Sequence, residues 1–171
     1  MESGLENRVV LVTGASGGIG SSMVRAFLAE DSKVAVHYGN QRDSAEKLAT
    51  ESEGRAKAFQ ADLTQEAEVE RLFGDIESEL GPVECVIANA GIWPAENVPI
   101  HEMTLTQWNK TLAVDLTSVF LTMRRFFIGI RNFELKDPSA VLIGSTAAVF
   151  GEAGHVDYAA AKAGISYGML Q

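Results

Sequence analysis

The sequence predicts a doubly wound α/β domain, a parallel sheet with helices on both faces, and three observations predict it. Short apolar runs alternate with longer helical patterns along the chain. The runs are continuous and β-branched, as in Val9-Val10-Leu11-Val12, which is the pattern of strands covered on both faces. A glycine-rich turn, Thr13 to Gly20, follows the first of them.

Taken in order, Val9–Val12 is the first strand and residues 18–30 the first helix. Val34-Ala35-Val36 is the second strand, followed by a polar helix over 42–52. Ala56 to Gln60 is a short third strand, and the helix over 65–80 stops at Gly81-Pro82. Residues 83–88 read as the fourth strand. A long helix is expected from Leu105 to Ile130. Thr104 and Gln107 stand three apart at its start, as a capping box requires. Trp108, Leu112, Leu116, Val119, Phe120, Met123, Phe127 and Ile130 recur along it at helical spacing. Asp137-Pro138 marks a turn before a fifth strand, Ala140 to Ile143. A last helix begins near Val156 and still runs at Gln171. Crossovers between parallel strands should be right-handed. No repeat or linker divides the chain, so residues 1–171 read as a single domain.

Composition narrows the function. The 171 residues suit one domain, and 46% apolar content is that of a globular protein. A net charge of −9 and a pI near 4.8 argue against a nucleic-acid surface. Lone Cys85 excludes a disulfide framework and a cysteine metal site; it reads as a small buried hydrophobe. His37 and His101 lack ligand-spaced companions, so no metal is expected. No apolar run approaches the ~18 residues of a membrane span. Met1 to Glu6 has neither a basic nor an apolar segment, so a cytoplasmic location is expected. Arg124-Arg125 reads as a solvated helix face.

Three motifs carry chemistry. In Gly14-x-x-x-Gly18-x-Gly20, glycines permit a tight turn and close approach of a phosphate, and the helix N-terminus that follows favours an anion. After the first buried strand, that is a dinucleotide site in a Rossmann-type sheet. Asn89-Ala90-Gly91 closes the fourth strand. Tyr158 and Lys162 stand at i and i+4, on one helix face.

With these motifs in this order over essentially its whole length, the chain resembles short-chain dehydrogenases/reductases, in the single-domain branch of 3-oxoacyl-carrier-protein-reductase-like enzymes. The resemblance implies that Gly14, Ser16, Gly18, Ile19 and Gly20 line a pyrophosphate. It further implies that Asp62 and Leu63 contact adenine, and that Asn89, Ala90 and Gly91 lie under the adenosine ribose. The family's acidic NAD-selecting position corresponds to about Tyr38, and no carboxylate appears before Asp43. Gly39 and Asn40 leave room for a 2′-phosphate that Arg42 could pair. NADP(H) is therefore favoured over NAD(H), although Gly17 fills a slot where many NADP-preferring relatives carry a basic residue.

The resemblance also implies an oxidoreductase interconverting a carbonyl and a secondary alcohol of a small-molecule substrate. A tyrosine hydroxyl, with a reference pKa near 10, needs a neighbouring cation to serve as acid–base group at neutral pH. By the resemblance Tyr158 takes that role with Lys162 beside it, and Ser145, at the carboxyl end of strand five, would bind the carbonyl oxygen. Asp115 stands where the family usually has an asparagine that holds a relay water. A carboxylate there could hold the water, leave the task to its backbone carbonyl, or pair with Lys162 and disturb the relay. Thr111, Asp115, Ser118 and Thr122 form a polar stripe on that helix. Trp93 and Pro94 follow Gly91 in a loop that can wall the pocket. His155, three residues before Tyr158, reads as structural, with substrate contact as the alternative. Gly164 and Gly168 allow close helix packing, and relatives often dimerise through these last helices, so a homo-oligomer is expected by resemblance. Relatives continue past strand five with further strands and a substrate loop. The chain accordingly reads as C-terminally truncated, with strand five an open apolar edge. A rival reading is a catalytically silent dinucleotide-binding or interaction protein of the same fold.

Overall fold

Strands without a solvent face must be sandwiched between layers. The computed structural model, which describes residues 3–169, is built that way. β1 (Val9–Val12), β2 (Lys33–Tyr38), β3 (Ala56–Gln60), β4 (Cys85–Ala88) and β5 (Ser139–Leu142) form one sheet in the order β3-β2-β1-β4-β5. Every neighbouring pair is parallel. The Rossmann-type sheet therefore reverses direction of growth between β1 and β4, and that switch point is where such sheets open a crevice.

Seven α-helices accompany the strands among the described residues: α1 (Gly18–Ala29), α2 (Arg42–Thr50), α3 (Glu66–Glu79), α4 (Leu105–Leu112) and α5 (Ser118–Phe133) between strands, and α6 (Ala147–Phe150) and α7 (Val156–Ala163) after β5. Alternate strand residues sort into two cores. Val10, Val12, Val34, Val36 and Ile87 pack with Val24 of α1 and with Ala45 and Leu48 of α2. Leu11, Ala35 and Val86 pack with Leu72, Phe73 and Ile76 of α3 and Phe126 of α5. None of the described helices is long and apolar enough to cross a membrane.

The expected single helix from Leu105 to Ile130 is interrupted. Its start is as read: Thr104 Oγ1 accepts from the Gln107 N–H at 3.1 Å. Over Ala113–Thr117 the helix widens to π geometry, with the Ser118 N–H reaching the Ala113 carbonyl. One extra residue is thus accommodated before α5 resumes and runs on to Phe133. The polar stripe needs no solvent. Thr111, Asp115, Ser118 and Thr122 are all buried, and the Ser118 and Thr122 hydroxyls donate to carbonyls one turn back, Val114 and Ser118, at 2.5 and 2.8 Å. Phe120 and Phe127, counted with the apolar face, are exposed instead, because Val119, Met123 and Phe126 take the core side of α5.

Two further readings change. α6 is an unforeseen single turn. α7 passes into π geometry over Gly164–Gly168, where a Cβ on Gly164 would lie 2.9 Å from Leu116 Cδ1, so this glycine serves packing within the chain. The expected continuation through Leu170 and Gln171 lies outside the described residues. β5 pairs only with β4 among the described residues, and Ser139, Ala140 and Val141 are exposed.

Arg125 corrects the reading of Arg124-Arg125 as a solvated face. Its side chain is largely buried, donating to both Glu77 carboxylate oxygens at 2.8 and 3.0 Å and meeting Glu70 at 2.9 Å, over the Phe73 ring. Removing one partner of a buried ion pair strands the other. Arg125→Ala should therefore cost on the order of 3 kcal/mol in urea unfolding. Arg124→Ala, which breaks an exposed pair with Glu66, should leave the urea midpoint close to that of the unmutated chain.

Candidate active site

At the switch point, the ends of β1 and β4 are tied by one hydroxyl. Thr13 Oγ1 donates to the Ile87 carbonyl at 3.2 Å and accepts from the N–H groups of Asn89 and Ala90, both at 2.9 Å. Asn89 Nδ2 returns bonds to the carbonyls of Thr13 (2.9 Å) and Gly14 (3.2 Å). Asn89 is thereby placed as a brace of the turn. Gly14 has φ +62°, and a Cβ there would meet the Ala90 backbone at 2.8 Å; one on Gly20 would meet the Gly14 carbonyl at 2.5 Å. Gly18 differs, since a Cβ there meets nothing within 4 Å. Two glycines are required by packing, and the third leaves open space at the start of α1.

His37, set aside in the sequence reading, is a third brace. Nδ1 accepts from the Gly14 N–H at 3.0 Å, and Nε2 lies 3.1 Å from the Ala61 carbonyl. That pairing requires a neutral ring with its proton on Nε2. Burial holds the imidazole down at about 4, against which the Ala61 bond works. Its signal was its place inside a buried strand at the edge where the glycine turn begins.

A cleft of about 590 Å³ opens beside these braces. Gly14, Ser16 and Gly17 line one end, Gly39, Asn40 and Gln41 another, and Asp62, Leu63, Ala90 and Gly91 its floor and wall. Of the remaining expected cofactor residues, Tyr38 ends β2 just behind this rim, and exposed Ile19 lies in the first turn of α1. Arg42 does not line the cleft; it faces Glu46 on its own helix at 2.6 Å. The cation that does line it is Lys110 of α4, which the sequence reading passed over.

Beyond Gly91 lies the second cluster. A Cβ on Gly91 would come within 3.1 Å of Asp115 Oδ1 and 3.6 Å of Lys162 Nζ. Lys162 is buried, and its Nζ donates to the Ile143 carbonyl at 2.9 Å, just past β5 and two residues before Ser145. Burial lowers the Lys162 pKa, with Asp115 opposing. Asp115 is itself fully buried: Oδ1 accepts from the Ile92 N–H at 2.7 Å and Oδ2 has no partner. Burial pushes it up to about 6, against the Ile92 bond and Lys162. Ser145 Oγ accepts from the Ala147 N–H at 3.2 Å, leaving its own proton to donate. Lys162 Nζ lies 5.7 Å from the Tyr158 ring centroid, and Trp93 packs edge-on to that ring at 4.8 Å. Trp93 also lies 4.1 Å, centroid to centroid, from buried His155.

The residue sequence reasoning missed here is Asp157. It is fully buried at the start of α7, accepting from Thr111 Oγ1 at 2.7 Å and Gln107 Nε2 at 3.3 Å. It locks α7 to α4 and so aims Tyr158 and Lys162. An aspartate directly before Tyr158 and the buried-side Thr111 were its available signals.

The family model for short chain dehydrogenases matches residues 8–169. The chain belongs to the short chain dehydrogenase family. It is 35% identical over 161 residues to nodulation protein G of Rhizobium meliloti. It is 32% identical over 167 residues to the Mycobacterium tuberculosis (5R,7aS)-5-hydroxy-7a-methyl-1-oxo-2,3,5,6,7,7a-hexahydro-1H-indene-carboxyl-CoA reductase. D-threitol dehydrogenase of Mycolicibacterium smegmatis is 30% identical over 164 residues. Each match covers 94% of this chain and 61% to 64% of the relative, so the chain spans a little over three-fifths of their length.

Two buried groups of this chain, His37 and Asp115, act on stability with opposite sign. His37, depressed from 6.5 to about 4, leaves the unfolded chain binding more protons, so stability falls as pH drops from 6.5 towards 4. Its full cost is on the order of 3 kcal/mol. Asp115, raised from 3.8 to about 6, binds its proton first in the folded chain, so stability rises as pH falls from 6 towards 3.8. Thermal melts between pH 7.5 and pH 4.5 should therefore show Asp115→Asn losing more stability on acidification than the unmutated chain. A His37→Gln variant should lose less; parallel profiles for all three would refute both assignments.

Proposed function

We propose that this chain is the cofactor-binding and catalytic part of an NADP(H)-dependent oxidoreductase that interconverts a small-molecule ketone and a secondary alcohol. The observation that carries the reading is convergence at one sheet edge. Lys162 reaches the end of β5 just before Ser145, Tyr158 lies one helical turn from Lys162, and Gly91 joins them to the cleft at the glycine turn.

The residues suit a dinucleotide. The open space at Gly18 and the N-terminus of α1 favour the pyrophosphate with Ser16, Ile19 and Gly20 around it. Asp62 and Leu63 suit adenine, and Ala90 and Gly91 the ribose. A carboxylate-free rim of Gly39, Asn40 and Gln41 supports NADP(H) over NAD(H), with Arg42 turning from Glu46 to meet a 2′-phosphate. When bound, the reduced nicotinamide supplies the hydride equivalent.

The chain's own part is proton handling. Ser145 donates a hydrogen bond to the substrate carbonyl oxygen, and Tyr158 delivers its phenolic proton to that oxygen as charge develops. The Lys162 ammonium stabilises the phenolate left behind and holds the nicotinamide ribose. A second copy of the chain is the expected partner, supported by the exposed Phe120 and Phe127 one above the other on α5. A catalytically silent dinucleotide-binding protein of the same fold is the alternative.

NADPH oxidation with a panel of ketones decides between them: cofactor binding without turnover on any ketone would favour the silent form. Tyr158→Phe should lower kcat at least 100-fold, at the lower end of general-acid contributions, with little change in NADPH affinity. Arg42→Ala should weaken NADPH while sparing NADH; equal loss would count against NADP(H).

A further inference from the structure

Trp93 is half exposed, yet its ring is held between buried His155 and the edge of Tyr158. What holds it there is the backbone on either side. One residue earlier, the Ile92 N–H donates to Asp115 Oδ1 at 2.7 Å. Five residues later, the Val98 N–H donates to the Gly154 carbonyl at 2.9 Å. Between these ties, residues 92–98 have no helix or strand of their own. The first tie is a single buried carboxyl whose other oxygen has no partner.

An amide at position 115 would offer the same acceptor and a permanent donor beside it. An aspartate offers two acceptors when ionised and a donor only once protonated. We propose that Asp115 is a positioning residue for the substrate wall: its carboxyl fixes Ile92, and through Ile92 sets Trp93 against Tyr158, with a grip that weakens when the carboxyl takes up a proton. The ionised form makes a charge-assisted bond to the Ile92 N–H, and the neutral form a weaker one.

The charged and titratable groups around this tie come from few elements. Lys162 of α7 favours the ionised form and Asp157 of α7 opposes it. His155, ahead of α7, touches Trp93 rather than Asp115. Lys110 lies on the helical turn before Asp115, exposed at the cleft. With burial as the largest influence, the change in grip falls near pH 6. Its consequence for catalysis rests on the reading of Tyr158 above; the behaviour of the loop does not, and the experiment reads the loop.

The chain has two tryptophans, so a Trp108→Phe background isolates Trp93. Acrylamide quenching of Trp93 emission, followed from pH 8 to pH 4.5, should rise through a midpoint near 6. Asp115→Asn keeps a neutral acceptor that does not titrate, so its quenching should stay flat near the low-pH value. Asp115→Leu, lacking the acceptor, should be quenched strongly at every pH. His155→Gln should keep the transition. A flat profile in the background protein, a surviving transition in Asp115→Asn, or its loss in His155→Gln would overturn the proposal. Far-ultraviolet circular dichroism at each pH separates loop release from unfolding, and the isosteric Asn variant decides the matter if the Leu variant fails to fold.

Discussion

The Thr13 hydroxyl is the joint on which the functional edge of this sheet depends. β1 and β4 diverge at their carboxyl ends to open a crevice, and a parallel ladder offers no further bonds once the strands part. Thr13 Oγ1 spans the gap with one bond donated and two accepted, and Asn89 returns two more. The crevice is thus open to a ligand yet rigid in its floor. The glycine turn, the cleft-lining Ala90-Gly91 step and the loop to Trp93 all take their positions from it.

On the far side of Gly91 the problem is different, because charges rather than strands must be held in place. Lys162 and Asp115 are buried without a direct bond between them, each satisfied first by backbone: Lys162 by Ile143, Asp115 by Ile92. Burial pushes both towards their neutral forms, while each favours the other's charge. Holding two ionisable groups out of water in this way costs stability, and such strained pairs are what functional sites are built from.

Much of this was legible in the sequence, for reasons that differ by element. The strands could be read because burial on both faces leaves continuous β-branched runs, and the glycine turn because Gly14 and Gly20 are dictated by local geometry. That Tyr158 and Lys162 share a helix face close to Ser145 was legible through spacing and resemblance. What was not legible depends on partners distant in the chain. Asp157 needs Thr111, His37 needs both Gly14 and Ala61, and Arg125 needs Glu70 and Glu77 of α3. That Lys110 rather than Arg42 lines the cleft could not be read until α4 was placed beside it. The helix from Leu105 looked unbroken because a π turn keeps helical composition and shifts only the phase.

That phase shift divides one helix into two with different tasks. α4 presents Thr111 to Asp157 and Lys110 to the cleft, while α5 presents Val119 and Phe126 to the sheet and Arg125 to α3. Each residue of an α-helix turns the next by about 100°. Excising one residue from Ala113–Thr117 would rotate all of α5 by about that angle relative to α4. The extra residue works as a phase coupler, letting a single rod mesh with two partners whose grooves are out of step.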